Sequence, residues 1–216
     1  MTATKKTALI ILNGEKPSKE LLEEFWQKTE LKVCADGAAD MLLAFHLEPD
    51  IILGDLDSIS QEIQCELSSV RIIKMLDQNK TDGEKAIKYC IDNGFSHLFI
   101  LGALGKRIDH TLYNLELLKK MNFPGVEISL FSEEDEAFLA QSKKTLRAKV
   151  GARISLFPLF GKVHGVTSLG LKYPLNNDTL EMGRFSSLSN EFVEDSATIN
   201  LSSGALLVVI ERNKNS

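Results

Sequence analysis

The feature that most constrains this chain is a change of periodicity near Ser132. Before that point, short apolar runs alternate with amphipathic stretches. The runs cover 8–12, 31–35, 51–53, 70–76, 97–101 and 126–131. Between them the spacing of apolar residues predicts helices over 18–29, 38–47, 59–67, 82–93 and 108–121. Alternating strand and helix, with strands apolar throughout, implies a mostly parallel α/β sheet covered on both faces. Ser58 with Gln61 and Thr81 with Glu84 have the spacing of capping boxes, and Asn93-Gly94 reads as a helix stop. After "SEEDE" the helical period fades. Short β-like runs follow, "EAFLAQS", "KTLRAKV", "RISLFPLF", "KVHGVTS", "LKYPL", "ATINLS" and "ALLVVIE", spaced by Gly, Pro, Asn and Ser. That spacing is typical of an antiparallel sandwich or barrel. A boundary is therefore expected within 133–143.

Charge and cysteine usage narrow the function classes. A formal net charge of -5 argues against a general nucleic-acid binder, which needs a basic face. It does not exclude a local phosphate site. Cys34, Cys65 and Cys90 are odd in number and lack metal-type spacing, so they are expected to be buried, reduced thiols. The first fourteen residues hold two lysines and too short an apolar run for a signal peptide, and no run is long enough to span a membrane. The expectation is a protein of the reduced cytoplasm, with no membrane partner.

The unusual polar residues follow the ends of the expected parallel strands, where open α/β sheets bind ligands. Asn13-Gly14-Glu15 follows the first run, Asp36-Gly37 the second and Gly54-Asp55-Leu56-Asp57-Ser58 the third. Asp77 to Asp82 follows the fourth, and Gly102 to His110 the fifth. Singly, Asp57, Ser58, Thr81 and Asp82 read well as helix caps. Together, six aspartates on one rim (36, 55, 57, 77, 82 and 109) repel unless a cation sits among them. Oxygen donors suit a hard divalent ion such as Mg²⁺ better than zinc, since only His110 of the four histidines belongs to the rim. Gly102-x-x-Gly105, with Arg107 beyond it, lets backbone N–H groups and a guanidinium meet phosphate. There is no GxxxxGK[ST], and no GxGxxG follows the first run. The pattern points to a Mg²⁺-dependent enzyme acting on a phosphorylated substrate.

Seven motifs, "ILNGE", "CADGAAD", "GDLDS", "DQNKTDGEKA", "GALGKRIDHTLYNL", "TSLGLKYPL" and "SSLSNEF", stand in the order seen in thiamine pyrophosphokinases. The resemblance runs from about residue 8 to 210. It implies a mostly parallel Rossmann-like α/β domain over 1–135 that binds ATP and Mg²⁺. A C-terminal antiparallel β-sandwich over 140–216 would bind thiamine and form a homodimer, with the thiamine site at the interface. The implied reaction moves the pyrophosphoryl group of ATP to the hydroxyl of thiamine and releases AMP. The family's metal-binding aspartates fall on Asp55, Asp57 and Asp109, and Arg107 joins them in the catalytic set. ATP is expected against Asn13, Asp36, Gly37, Asn79 and Thr81, and against Asp82, Lys85, Gly102, Gly105 and His110. Ser187, Ser189 and Asn190 fall in the thiamine-contacting motif.

Two positions depart from the family pattern. Asn79 stands where a third carboxylate is usual, and it can offer Mg²⁺ only a neutral oxygen. Tyr173 stands where tryptophan is common. It would serve either as sandwich core or as a ring beside the cationic thiamine. The competing functions are a pyrophosphokinase of another hydroxymethyl heterocycle, of pterin type, and a non-catalytic nucleotide or thiamine sensor.

Overall fold

The computed structural model describes residues 5–54, 70–75 and 77–212. The expected helix over 59–67, together with Asp55, Asp57, Ser58 and Cys65, lies outside the described residues. The chain divides into two compact units, Met1–Ser132 and Glu133–Ser216.

Among the described residues of the first unit six strands are joined in parallel: β1 (Thr7–Ile11), β2 (Leu31–Ala35), β3 (Ile51–Gly54), β4 (Arg71–Lys74), β5 (His97–Leu101) and β6 (Glu127–Phe131). Their spatial order is β6-β5-β1-β2-β3-β4. Alternate residues of the inner strands serve opposite faces. Leu9 and Ile11 of β1, Cys34 of β2 and Ile52 of β3 join one cluster with α1 (Lys19–Lys28) and α2 (Ala39–Ala44). Ala8, Ile10 and Val33 are as deeply buried. They face the other way, and α3 (Asp82–Asp92) packs on β1, β2 and β3 outside that cluster. The last helix of the unit is α4 (Ile108–Lys120). Ser18 caps α1, its Oγ accepting from the Leu21 N–H at 3.1 Å. At the end of α3, the Gly94 N–H donates to Ile91 and the Phe95 N–H to Cys90, the paired bonds of a Schellman stop. Cys34 and Cys90 are buried free thiols, and burial pushes both pKa values up, Cys90 to about 12.

The Thr81–Glu84 capping box forms only by half. Thr81 Oγ1 accepts from the Glu84 N–H at 3.3 Å, but the Glu84 carboxylate turns to α4 instead of back to Thr81. Two stronger donors there, a phenol and an ammonium, outcompete the backbone N–H.

The second unit is built from eight antiparallel strands. One set runs β12 (Ser187–Glu191), β9 (Arg153–Phe157), β14 (Leu206–Glu211), β7 (Asp135–Ala140). The other runs β11 (Asp178–Leu180), β10 (Val163–Leu169), β13 (Ser196–Asn200), β8 (Lys144–Arg147). Phe138, Ile154, Leu156 and Val208 of the first set share a core with Leu146, Val166, Leu180 and Ile199 of the second. The expected strand at "LKYPL" does not form. Pro174 offers no N–H to a ladder, and only an isolated bridge from Leu171 to Phe192 is made. Tyr173 is 62% exposed, so it is not a core residue. Conversely, the polar "SLSNE" forms β12, because pairing with β9 overrides weak intrinsic preference.

Two glycines of the first unit separate backbone conformation from close approach. Gly94 has φ +82° with open space where a Cβ would stand. Gly102 has φ +67°, and a Cβ there would meet the Leu12 carbonyl oxygen 2.1 Å away. In urea denaturation Gly94→Ala is expected to lose about 1 kcal/mol, the left-handed term alone. Gly102→Ala should lose distinctly more, with the loop it anchors displaced. Equal losses would show that the β1–β5 loop contact carries no weight.

Candidate active site

After β1 the chain builds β2, β3 and β4 to one side, then returns to lay β5 on the other. At such a reversal the loops leaving two neighbouring strands diverge and leave a crevice at their carboxyl ends. A cavity of about 690 Å³ opens there. Asn13 and Gly14 line it from the end of β1, and Asp36 and Gly37 from the end of β2. Lys74 ends β4, Met75, Gln78 and Lys80 follow it, and Thr81, Asp82 and Lys85 begin α3. Gly102, Gly105, Lys106 and Arg107 follow β5, and His110 and Asn114 sit on α4.

The two central loops are tied together beyond the strands. The Leu12 N–H donates to Leu101 at 2.9 Å, that of Gly14 to Gly102 at 2.7 Å, and that of Glu15 to Leu104 at 2.7 Å. Lys106, at φ +54°, donates from Nζ to the Asn13 carbonyl at 3.0 Å and to Asn13 Oδ1 at 2.8 Å. From α4, Asn114 Nδ2 donates to the Ala103 carbonyl at 2.7 Å.

The wall carries Lys74, Lys80, Lys85, Lys106 and Arg107 against two described carboxylates, Asp36 and Asp82. The N-terminal turns of α3 and α4 add their positive ends. Among the described residues the wall is predominantly basic, the charge balance that suits an anion. Lys85 is only 7% exposed, and its ammonium meets Asp82 Oδ1 at 3.1 Å. Asp36 is 4% exposed and accepts the Gly37 N–H at 2.6 Å. It fits because Gly54, at the end of β3, has no Cβ, and one would stand 2.4 Å from the Asp36 carboxylate.

Asp109 and Asn79 stand apart from the wall. Arg107 spans Asp109 with both Nε and a terminal nitrogen, and the His110 N–H adds a third bond. The Arg107 hydrogen bonds hold the Asp109 carboxyl down to about 2. The Asn79 N–H donates to Asp77 Oδ1 at 3.0 Å, and Lys80 meets Asp77 Oδ2 at 3.1 Å. Those bonds lower the Asp77 pKa and shape a surface turn. Among the described residues no group of three or more His, Cys, Asp or Glu is placed to hold a metal.

In the second unit, Asn190 is 1% exposed and every polar atom of its amide is engaged. Nδ2 donates to the Tyr173 carbonyl at 2.7 Å and to Ser187 Oγ at 3.2 Å. Oδ1 accepts from the Tyr173 N–H at 3.0 Å and the Glu191 N–H at 2.9 Å. The amide thus pins the backbone of Tyr173 while leaving its ring outside. Ser189, at φ +52°, sits where the β12–β9 register shifts, and its N–H donates to Ser155 Oγ at 3.0 Å.

The structure brings Asn13, Asp36, Gly37, Thr81, Asp82, Lys85, Gly102, Gly105, Arg107 and His110 to one cavity. Lys74, Met75 and Asn114 were not anticipated. Asn114 had a signal, since Arg107, His110 and Asn114 repeat at the spacing of one helix face. Lys74 and Met75 had none beyond standing at a strand end.

Two family models match the chain. One, described as the thiamin pyrophosphokinase catalytic domain, matches residues 22–130, half of the chain. The other, its vitamin B1 binding domain, matches residues 143–206. Among curated relatives, thiamin pyrophosphokinase 1 of Caenorhabditis elegans is 29% identical over 94% of this chain and 88% of its own. Thiamine pyrophosphokinase of Bacillus subtilis is 25% identical over 94% and 98%. The crystal structure titled thiamine pyrophosphokinase from Bacillus subtilis superposes with a TM-score of 0.84 at 23% identity, covering 97% of this chain and 100% of that one. That from Candida albicans also gives 0.84, at 22% identity over 97% and 90%. Apart from Leu12, Asn13 and Gly14, the residues lining the basic cavity lie in the stretch matched by the catalytic model, the Asn190 clamp lies in that matched by the vitamin-binding model, and the chain belongs to the thiamin pyrophosphokinase family, whose reaction transfers the pyrophosphoryl group of ATP to thiamine.

Proposed function

We propose that the cavity at the β1–β5 reversal binds the phosphates of ATP and that thiamine is held by β12 and the Tyr173 segment. The carrying observation is the charge of the wall: five basic side chains and two helix N-termini meet at one crevice. Lys85 and Arg107 take the phosphate oxygens, Arg107 with the planar fork that suits them. The reading makes the first unit a Rossmann-like ATP domain and the second a β-sandwich for thiamine, in a cytoplasmic enzyme.

The donors near the cavity fit a hard cation. They are carboxylate oxygens, with His110 the only described imidazole of the wall and no thiol beside it. Asp109 would hold Mg²⁺ together with Asp55 and Asp57, which lie outside the described residues. Bound there, the ion would offset charge on the transferred group. Arg107 now satisfies Asp109. A phosphate arriving at Arg107 would supply it with a second anion and leave Asp109 oxygens able to hold the ion. The thiamine hydroxyl oxygen bonds to the β-phosphorus as the bond from that phosphorus to the α,β-bridging oxygen breaks. AMP leaves with the bridging oxygen, and the hydroxyl proton passes to a base.

Thiamine carries a permanent positive charge, and an exposed ring attracts cations. Tyr173 is such a ring, with its backbone pinned by Asn190. Leu169, Leu188 and Val193 are exposed apolar side chains of the same unit. They support a homodimer with the thiamine site at its interface, since a second copy would cover surface that water does not favour.

Purified protein given thiamine, ATP and Mg²⁺ should yield thiamine diphosphate and AMP in equal amounts, and chelation of the metal should stop it. ADP as the product, or turnover of a hydroxymethyl pterin instead, would overturn the reading. Arg107→Lys should raise KM for ATP, because a point charge does not replace a bidentate fork. Unchanged kinetics would remove Arg107 from the phosphates. Tyr173→Ala should raise KM for thiamine by about 2- to 30-fold, the equivalent of roughly 0.5–2 kcal/mol, with Tyr173→Phe near the parent. A KM that ignores the ring would place thiamine elsewhere. In sedimentation at micromolar concentration the active species should be a dimer, and a fully active monomer would contradict the interface.

A further inference from the structure

Glu84 is a buried carboxylate that the proposed chemistry does not use. It is 3% exposed and belongs to the first turn of α3, between the Thr81 cap and Lys85. Its Oε2 accepts from the Tyr113 hydroxyl at 2.6 Å and from Lys120 Nζ at 2.9 Å, and Lys120 also meets the Tyr113 oxygen at 3.2 Å. Both partners belong to α4. A buried carboxylate is costly unless paired and hydrogen-bonded, so this group holds α3 to α4 wherever the pair is intact.

The placement matters because both helices start at the cavity. α3 brings Thr81, Asp82 and Lys85 to it, and α4 brings His110 and Asn114, with Arg107 as its N-cap residue. A first helical turn lacks its own backbone acceptors and is the easiest part of a helix to rotate or fray. Here the side-chain cap is a single 3.3 Å bond. The Glu84 tie is the stronger restraint on the same turn, and the neighbouring Gly83 packs closely on Leu12 and Asn114. Burial pushes the Glu84 pKa up, but the Tyr113 and Lys120 hydrogen bonds outweigh it and leave it low, so the tie persists at neutral pH.

We infer that Glu84, braced by Tyr113 and Lys120, is a positioning residue for the nucleotide: it fixes the rotation of the first turn of α3 so that the Lys85 ammonium faces the phosphates. This rests on the reading that the cavity holds ATP. The brace belongs to the first unit and the β12 segment to the second, so its loss should weaken ATP and spare thiamine.

The test compares Glu84→Gln, Lys120→Met, Lys85→Met and the Glu84→Gln/Lys85→Met double variant, measuring melting temperature and both KM values. Lys120 is partly exposed, so its variant carries the test if the buried substitution fails to fold. Glu84→Gln and Lys120→Met should each raise KM for ATP on the order of tenfold, below the ~100-fold that a 1 Å misplacement can cost, with KM for thiamine within twofold. The double variant should raise it no further than Lys85→Met alone, as expected for residues acting through one another. A lower melting temperature with an unchanged ratio of the two KM values would make Glu84 merely structural and overturn the proposal. If Lys85→Met raises KM for ATP while both brace variants leave it alone, the proposal fails and the cavity reading stands. If Lys85→Met itself has no effect, both fall.

Discussion

The site depends on one topological constraint, the reversal of strand order at β1. A chain that lays β2 to β4 on one side and β5 on the other must leave the ends of β1 and β5 with loops that part company. The molecule then stitches those loops where they leave the sheet, through the Gly14–Gly102 and Glu15–Leu104 backbone bonds and the Lys106–Asn13 contacts. The crevice is thus both open to ligand and stiff at its base. Gly102 and Gly54 are where the backbone has no room for a side chain. They are part of the construction of the cavity, though neither supplies a functional group.

Charge gives that crevice its character. Acidic residues dominate the whole chain, yet the described wall is basic. The ion pairs Lys85–Asp82 and Arg107–Asp109 hold cations near the cavity with a carboxylate beside each. Such pairs cost little to rearrange when they are exposed, as the second is. The first, with its buried ammonium, is a firmer fixture, which is why the brace behind Lys85 matters more than its modest size suggests. In the second unit polar residues build a different object. The Asn190 amide spends all its hydrogen bonds on the protein and holds an exposed ring in place.

Among the described residues, the strands of the parallel half were legible to within two residues and its helices to within three, because its signals are local. Apolar runs and helix caps such as Ser18 and Asn93-Gly94 act over a few residues. Ten of the expected rim residues were legible from the strand-end rule, which brings them to one cavity. What escaped was set by tertiary partners. "SLSNE" becomes a strand only because β9 pairs with it, and "LKYPL" is denied one by Pro174. Glu84 carried a capping signature, but Tyr113 and Lys120, 29 and 36 residues away, claim its carboxylate.

The central claim is that ATP lies in the crevice of the parallel unit. Amide hydrogen exchange, read with and without Mg²⁺ and ATP, tests it directly. Nucleotide should slow exchange at residues 81–85 and 102–110, which carry the α3 turn and the β5 loop, and leave 187–191 unchanged until a thiamine analogue is added. Protection by nucleotide confined to residues 133–212, with none at 81–85 or 102–110, would contradict the account.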